Sequence, residues 1–286
     1  MTTPARISRR RAFGLAGAGA VLAAGSAVAA PASPRAERPL AGKVAIVTGA
    51  RANLGRRFAE TLAALGADVV VHYHREATRD QAARTARLVE AAGARAALVA
   101  GDLGRPETAR GVFDTAERAF GGTDIVVNNA GAIVKKPLAD LTDADFERLD
   151  AVNNRGLFHM LREASRRLRD EGRIVNIATS LLAGAAPGYA GYAGTKAPVE
   201  EYTRMLAKEI GARGITVNAV APGPVDTPFF HGQETEAAAA FAAGLAVTNR
   251  LGRVDDIAPL VGFLARPEAG WINGQTIWIN GGYVTR

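Results

Sequence analysis

Short apolar runs alternate with amphipathic segments from residue 43 to the C-terminus. Seven runs are mainly apolar, which is typical of strands buried on both faces: 44–48, 68–72, 96–100, 124–128, 173–177, 215–219 and 276–280. Segments with helical periodicity follow the first two runs, at about 54–65 and 78–92. Strands that alternate with helices form a parallel sheet covered by helices on both faces. The pattern therefore predicts one doubly wound α/β domain of about seven strands over residues 41–286.

The first 40 residues differ from the rest of the chain in composition and charge. They hold six arginines and one glutamate, and so carry five of the seven net positive charges. Arginines at 9–11 precede an Ala/Gly/Val/Leu stretch that ends at Ala30, and residues 31–39 are rich in proline. A charged start, an apolar middle and an Ala-Val-Ala ending are typical of an export signal, and Arg10-Arg11-Ala12-Phe13 resembles a twin-arginine signal. We expect residues 1–40 to be a signal peptide and linker of a periplasmic protein.

Two other interpretations of this leader remain open. It can be an Arg-rich extension or a misassigned start of a cytoplasmic protein, or a membrane anchor, which its short, Gly- and Ala-rich stretch disfavours. The body of the chain is near neutral, so its charge indicates neither a nucleic-acid nor a membrane surface. The chain has no cysteine, and its four histidines form no HExxH pair, so we expect no metal site.

The turn after the first strand is the first candidate for ligand binding, because ligands of such sheets bind beyond the carboxyl ends of the strands. Its residues expected to contact a cofactor are Gly49, Arg51, Asn53, Leu54 and Gly55. Glycine in a strand-to-helix turn lets the backbone approach a pyrophosphate, whose charge the helix N-terminus stabilises. The turn indicates a dinucleotide site, with a plain connecting turn as the alternative.

The end of the second strand indicates which dinucleotide binds. Tyr73 occupies the position at which an acidic residue would hydrogen-bond the ribose of NAD, and His74 and Arg75 follow it. A guanidinium can bind a phosphate through two hydrogen bonds, and Arg51 can add a second positive charge. Glu76 would repel the phosphate if it pointed inward. The segment as a whole favours NADP(H).

A tyrosine and a lysine at helical spacing are the candidates for acid–base chemistry. Tyr192 and Lys196 are four residues apart, so they share one face of a helix. A tyrosine has a pKa of about 10, too high for efficient proton exchange near neutrality, and a nearby ammonium lowers that pKa. Alone, such a pair is more often a surface pair than a catalytic one.

Together these motifs resemble those of the short-chain dehydrogenase/reductase (SDR) family, over essentially all of residues 41–286. The resemblance implies a single-domain Rossmann-type fold and hydride transfer between NADP(H) and a carbonyl, alcohol or imine substrate. It implies that Tyr192 is the catalytic acid/base, that Lys196 lowers its pKa and holds the nicotinamide ribose, and that Asn153 holds a relay water. The family places a serine thirteen residues before the tyrosine, where this chain has Thr179, with Ser180 as the alternative. Further cofactor contacts are implied for Asp102, Leu103, Asn129, Ala130, Gly131, Pro222, Gly223, Val225 and Thr227.

The residues around Tyr73 also resemble the pteridine reductase-like branch of the family, so the expected substrate is a small carbonyl or pterin-like molecule. That branch has an aspartate at the position of Thr179, and often an arginine at that of Asn53. Two alternatives remain. One is a 3-oxoacyl-thioester (acyl carrier protein) reductase, for which arginines 162, 166, 167 and 169 would form a carrier-protein patch. The other, motivated by Thr179, is a non-catalytic NADP-binding sensor or scaffold.

The family resemblance also implies an assembly and a lid. The family commonly forms tetramers through two helices, expected here at about 142–169 and 190–212, and through the C-terminal strand. We therefore expect a homotetramer. The segment 229–251 is expected to contain a lid over the substrate.

Overall fold

Every strand expected from an apolar run is present in the structure, and all neighbouring strands are parallel. The computed structural model describes residues 38–286. Its strands are β1 (Val44–Val47), β2 (Asp68–Tyr73), β3 (Ala96–Ala100), β4 (Thr123–Asn128), β5 (Leu168–Ile177), β6 (Thr216–Pro222) and β7 (Thr276–Ile279). They lie in the order β3-β2-β1-β4-β5-β6-β7. This order confirms the predicted Rossmann-type, doubly wound α/β fold.

Helices cover both faces of this sheet. Within residues 38–286 they are α1 (Asn53–Ala64), α2 (Arg79–Ala91), α3 (Pro106–Phe120), α4 (Asp143–Asp150), α5 (Leu157–Arg167), α6 (Ala190–Lys196), α7 (Pro198–Ile210), α8 (Pro228–His231), α9 (Glu236–Leu245) and α10 (Val254–Leu264). A π-helical segment, Ala151–Gly156, joins α4 to α5. Buried side chains of α1, α2 and α10 form the core on one face, and those of α3, α5 and α7 form the core on the other.

The central strand β1 shows why its sequence is apolar without interruption. Successive side chains of a strand point to opposite faces of the sheet. Ala45 and Val47 contribute to the core beneath α1, whereas Val44 and Ile46 contribute to the core beneath α3. All four are at most 2% exposed. Burial of a Val or Ile side chain contributes about 1.5–3 kcal/mol, so both faces of this strand stabilise the fold.

The boundaries of several elements differ from the sequence-based expectation. The helix predicted at 142–169 is interrupted by the π-helical segment, and the helix predicted at 190–212 is divided between α6 and α7. The second division lies at Pro198, which has no N–H to donate to the preceding turn. β5 begins at Leu168 instead of residue 173, with an irregular register against β4 between Thr123 and Ile125. The expected tetramer through these helices stays a prediction.

The strand order places the binding crevice. β1 and β4 are neighbours in the sheet, and α1, which follows β1, lies on the opposite face from α5, which leads from β4 to β5. The crevice opens between the turns that leave such strands at their carboxyl ends, here after Val47 and Asn128.

The predicted leader precedes the part of the chain that the structure describes. Residues 1–37 of the predicted signal peptide and linker lie outside the described residues, so export stays a prediction. Between residues 38 and 286, no helix has both the length and the apolarity that a membrane span requires.

Candidate active site

A cavity of about 750 Å³ occupies this crevice. It extends from the turn between β1 and α1 to the segment that contains α8 and α9. The predicted site residues that line it are Gly49, Arg51, Asn53, Leu54, Gly55, Tyr73, His74, Arg75, Leu103, Asn129, Ala130, Gly131, Thr179, Ser180, Tyr192, Lys196, Pro222, Gly223, Val225 and Thr227. Asp102 and Asn153 were also predicted, and neither lines this cavity.

The turn between β1 and α1 is shaped to receive a pyrophosphate. Gly49 has a φ of 65°, and Asn53, which replaces a glycine of the family pattern, has a φ of 51°. Asparagine is one of the few residues other than glycine that adopt this left-handed region readily. A Cβ on Gly55 would lie 2.4 Å from the Gly49 carbonyl oxygen, so only glycine fits there. No side chain caps α1 and its first turn has no acid, which leaves its N-terminal N–H groups available to an anion.

A buried histidine, which the sequence analysis did not single out, supports this turn. His72 is the fifth residue of β2 and is 2% exposed. Its Nδ1 accepts a hydrogen bond from the Gly49 N–H at 3.2 Å, so its proton is on Nε2, which donates to the Gly101 carbonyl at 3.0 Å. Burial lowers the pKa of His72 to about 4. The neutral ring therefore joins the glycine turn to the end of β3.

The end of β2 presents cations to the cavity and turns its acid away. The Tyr73 hydroxyl donates to Glu76 at 3.1 Å, and Glu76 is also 3.9 Å from the Arg79 guanidinium. Glu76 does not line the cavity, whereas His74 and Arg75 do. Arg51 lines it as well, and its guanidinium donates to the Gln81 side chain. Glu76 is thus held by Tyr73 and Arg79 outside the cavity lining, where it would not repel a phosphate in the cavity. The residues present fit the 2′-phosphate of NADP(H).

Asp102 does not line the cavity, and its contact with the cofactor stays a prediction. Its carboxylate accepts the Gly104 N–H at 2.9 Å, and it stabilises the turn after β3 instead of lining the cavity. An aspartate favours such local bonds to the backbone two residues ahead. Leu103 is the residue of this pair that reaches the cavity.

The tyrosine expected to be catalytic is buried beside Thr179. Tyr192 is 7% exposed, it lines the same cavity as Thr179, and the Thr179 side chain acts to lower the pKa of its phenol. Ser180 is directed elsewhere, because its hydroxyl donates to the Ala221 carbonyl at 3.1 Å and accepts from the Asn280 amide at 3.2 Å. Of the two candidate hydroxyls, that of Thr179 is the one that acts on the pKa of Tyr192, and its role towards a substrate stays a prediction.

Burial determines the protonation of the tyrosine and the lysine. It raises the pKa of Tyr192 to about 12, while the hydrogen bond from Thr179 acts in the opposite direction. It also lowers the pKa of Lys196 to about 8. The Lys196 ammonium donates to the Ile177 carbonyl at 2.7 Å. Burial is thus the largest influence on both groups, and the expectation that Lys196 lowers the pKa of Tyr192 stays a prediction.

Asn153 lies in the π-helical segment, behind the cavity wall. Its side chain accepts the Ala132 N–H and donates to the Ala132 carbonyl, both at 2.9 Å, and donates to Thr195 at 3.0 Å. It thereby ties the loop after β4 to α6. A second cavity of about 10 Å³, close to the smallest volume that holds one water, is lined by Asn153, Asn128 and Lys196 among others.

Three polar residues at the other end of the cavity were not expected from the sequence. Lys135 follows β4, Tyr189 precedes α6, and Glu234 lies between α8 and α9. The Glu234 carboxylate accepts hydrogen bonds from both the Lys135 ammonium and the Tyr189 hydroxyl. The Tyr189 ring lies edge-on to that of Tyr192, with centroids 6.3 Å apart. This end of the cavity adjoins Tyr192, the predicted acid/base, and is where a substrate would bind.

Comparisons with known proteins agree with this geometry. The family model described as enoyl-(acyl carrier protein) reductase matches residues 49–284. A short-chain type dehydrogenase/reductase of Picea abies is 42% identical over 86% of this chain and 93% of its own. An NADPH-dependent aldehyde reductase-like protein of Arabidopsis thaliana is 39% identical over 86% of this chain and 96% of its own. A Burkholderia cenocepacia dehydrogenase solved with bound NADP is 42% identical, with a TM-score of 0.84, over 88% of this chain and 97% of its own.

The chain therefore belongs to the short-chain dehydrogenase/reductase family. It is an NADP-dependent oxidoreductase, and its cofactor is NADP(H), as the cations at the end of β2 predicted. The resemblance to the pteridine reductase-like branch within the family stays a prediction.

Proposed function

We propose that the protein is an NADPH-dependent reductase of small aldehydes and ketones in which Tyr192 protonates the substrate oxygen. The observation that carries this proposal is that the buried side chains of Tyr192 and Thr179 line one cavity together with the cofactor turn and the substrate end. When bound, NADPH supplies the hydride that the carbonyl carbon receives. The Thr179 hydroxyl donates a hydrogen bond to the carbonyl oxygen and orients it, and Tyr192 gives that oxygen its proton.

The protonation states are compatible with reduction. With its pKa raised to about 12 by burial, Tyr192 carries its proton at neutral pH, so the proposed donor holds the proton that it must give. Lys196, with a pKa of about 8, is charged at neutral pH and sits beside Gly131, where a Cβ would lie 3.6 Å from its ammonium. From there it can hold the ribose of the cofactor and return a proton to the phenolate.

The alternatives have less support than an aldehyde or ketone reductase. Most of the arginines of the possible carrier-protein patch are neutralised: Arg166 contacts Glu163, Arg167 contacts Asp114 and Glu117, and Arg169 contacts Asp124. The hypothesis of a pterin substrate is supported only by the residues at the end of β2, and these lie at the cofactor end of the cavity. A non-catalytic sensor would not require a buried tyrosine, a lysine and a hydroxyl side chain around one cavity. The Arabidopsis aldehyde reductase-like relative also favours carbonyl substrates.

The test compares two tyrosines that differ in position. Tyr192→Phe removes the proposed proton donor. Tyr202 lies on α7 and does not line the cavity, and Tyr202→Phe removes a hydroxyl that donates a hydrogen bond to Asn154 at 3.1 Å. We expect Tyr192→Phe to lose about 100-fold or more in kcat for NADPH-dependent aldehyde reduction, with an unchanged Kd for NADPH. Tyr202→Phe should keep its activity. Full turnover by Tyr192→Phe would refute the assignment, and tight NADPH binding by a wild-type protein that reduces no carbonyl would favour the sensor.

A further inference from the structure

The polar residues at the substrate end form one closed cluster, defined here as Lys135, Tyr189 and Glu234. The Glu234 side chain is only 6% exposed, and its two oxygens each have a partner, Tyr189 on Oε1 and Lys135 on Oε2. The Lys135 ammonium also lies 5.3 Å from the centre of the Tyr189 ring. Each charge in the cluster is therefore balanced within it.

This cluster borders the reacting end of the cavity. All three residues line the same cavity as Tyr192 and Thr179, and the Tyr189 ring touches that of Tyr192. The Lys135 N–H donates to the Gln233 side chain at 3.0 Å, which fixes the position of the neighbouring Glu234. A substrate whose carbonyl meets Tyr192 thus places its adjacent substituents against the cluster.

The charge of this wall depends on a single carboxylate. Among the described residues that line the cavity, Glu234 is the one acid. The other cations of the lining lie at other places or have other partners. Arg51 and Arg75 lie at the cofactor end of the cavity, and the Lys196 ammonium donates to a backbone carbonyl. The Arg148 guanidinium lies 3.5 Å from the Asp145 carboxylate. Loss of Glu234 would leave Lys135 as an uncompensated cation beside the substrate.

A further part of the cavity lining is apolar. Residues 238, 241, 242 and 245 of α9 line the cavity, and their spacing places them on one face of that helix. No residue of α9 is buried, and Phe241 is 70% exposed. This face therefore has apolar surface available to an apolar ligand that shares the cavity with Tyr192.

We propose that Glu234 determines the charge selectivity of the substrate site: by neutralising Lys135, it makes the site accept uncharged, apolar carbonyl compounds and reject anionic ones. The proposal rests on the proposed carbonyl reductase function. An anionic substrate would lose its hydration beside a carboxylate whose cation is already paired, which disfavours it. An uncharged ring or chain meets the apolar face of α9 and leaves the cluster intact.

The test uses two aldehydes that differ by one charge, benzaldehyde and 4-carboxybenzaldehyde. The wild type is expected to prefer benzaldehyde in kcat/KM. Glu234→Gln leaves Lys135 unpaired and should raise the ratio of kcat/KM for the carboxylated to the uncharged aldehyde by about 10-fold or more. Lys135→Met leaves Glu234 unpaired and should shift the same ratio in the opposite direction. Glu236→Gln, an exposed acid of α9 that does not line the cavity, is the matched control and should leave it unchanged.

Opposite shifts of this ratio distinguish an electrostatic role from a structural one. A variant with a distorted site would lose kcat/KM for both aldehydes. Equal ratios in wild type, Glu234→Gln and Lys135→Met would overturn the proposal. Isothermal titration of each aldehyde into the NADP⁺ complex measures the same preference without turnover. If the binding preference shifts in these opposite directions in the two variants, the charge-selectivity proposal is supported even if Tyr192 proves not to be the acid. If the enzyme is active but its binding preference does not shift, the charge-selectivity proposal is refuted and the proposed reductase function is not. Kd for NADPH, measured for each variant, verifies that the cofactor site is folded.

Discussion

Protonation of His72 should destabilise the fold, and the structure gives the size of the effect. The ring is buried, and its Nδ1 accepts the Gly49 N–H. A proton on Nδ1 would point at the Gly49 N–H, so that two donors faced each other, and it would also place a positive charge in the core. The pKa of His72 is therefore lowered from 6.5 to about 4, with burial as the largest cause and the nearby His74 as a further one.

The sign of the pH dependence follows from this lowered pKa. The unfolded chain binds the proton near pH 6.5, whereas the folded chain binds it only near pH 4. The stability that the neutral ring contributes is fully present above pH 6.5 and is lost as the pH falls towards 4. Each pKa unit corresponds to about 1.36 kcal/mol, so the total loss is about 3 kcal/mol. Typical domains are stable by about 5–15 kcal/mol, so this loss is readily measured.

The assay is urea unfolding of wild type and His72→Asn between pH 7 and pH 4.5. Asparagine retains an acceptor near the position of Nδ1 and does not titrate. Carboxylates that titrate in this range, such as the partner-bound Asp68, are common to both proteins and cancel in the difference. We expect wild type to lose about 2–3 kcal/mol more than His72→Asn over this interval. Parallel losses in the two proteins would refute the assignment of a neutral, Nε2-protonated His72.

Three further predictions concern the cofactor turn and the reacting groups. Gly55→Ala should raise Kd for NADPH by about 10-fold or more, measured by fluorescence titration, because its Cβ would clash with the turn. Thr179→Val should lower kcat about 100-fold, whereas Ser180→Ala should lower it less than about 3-fold, since Thr179 acts on the Tyr192 phenol and the Ser180 hydroxyl is bound to the Ala221 carbonyl; similar losses would contradict the distinction. The kcat/KM for reduction should be level near pH 7 and fall above about pH 8, as Lys196 loses its proton; a profile that is flat to pH 10 would show that its charge is not needed.

The regular parts of the fold could be predicted because their residues obey local rules. β1 is an uninterrupted apolar run since both of its faces are buried. The start of β5 was not predicted, because Arg169 to Glu171 are polar and exposed, and Glu171 has a φ of 60°. Only the pairing of Leu168 with Thr123 of β4, a long-range interaction, extends the strand back over these residues.

The same distinction applies to the active site. Tyr192 and Lys196 could be found because four residues separate them on one helix. The cluster of Lys135, Tyr189 and Glu234 could not, because Lys135 and Glu234 are 99 positions apart and meet only through the path of the segment before α9. His72 was missed for another reason. A histidine at the end of an apolar strand gives no local sign that its ring replaces a backbone hydrogen-bond partner for Gly49.

The π-helical segment Ala151–Gly156 makes this part of the chain more sensitive to length than to composition. Each residue of an α-helix turns the chain by about 100°, so the wider turn sets the rotational phase of α5 relative to α4. Deletion of one residue would allow a regular helix to form across it. That helix would be locally sound, but it could not keep both the buried Leu149 of α4 and the buried Met160 of α5 in their present packing. Homologues and engineered variants should therefore accept substitutions here more readily than insertions or deletions.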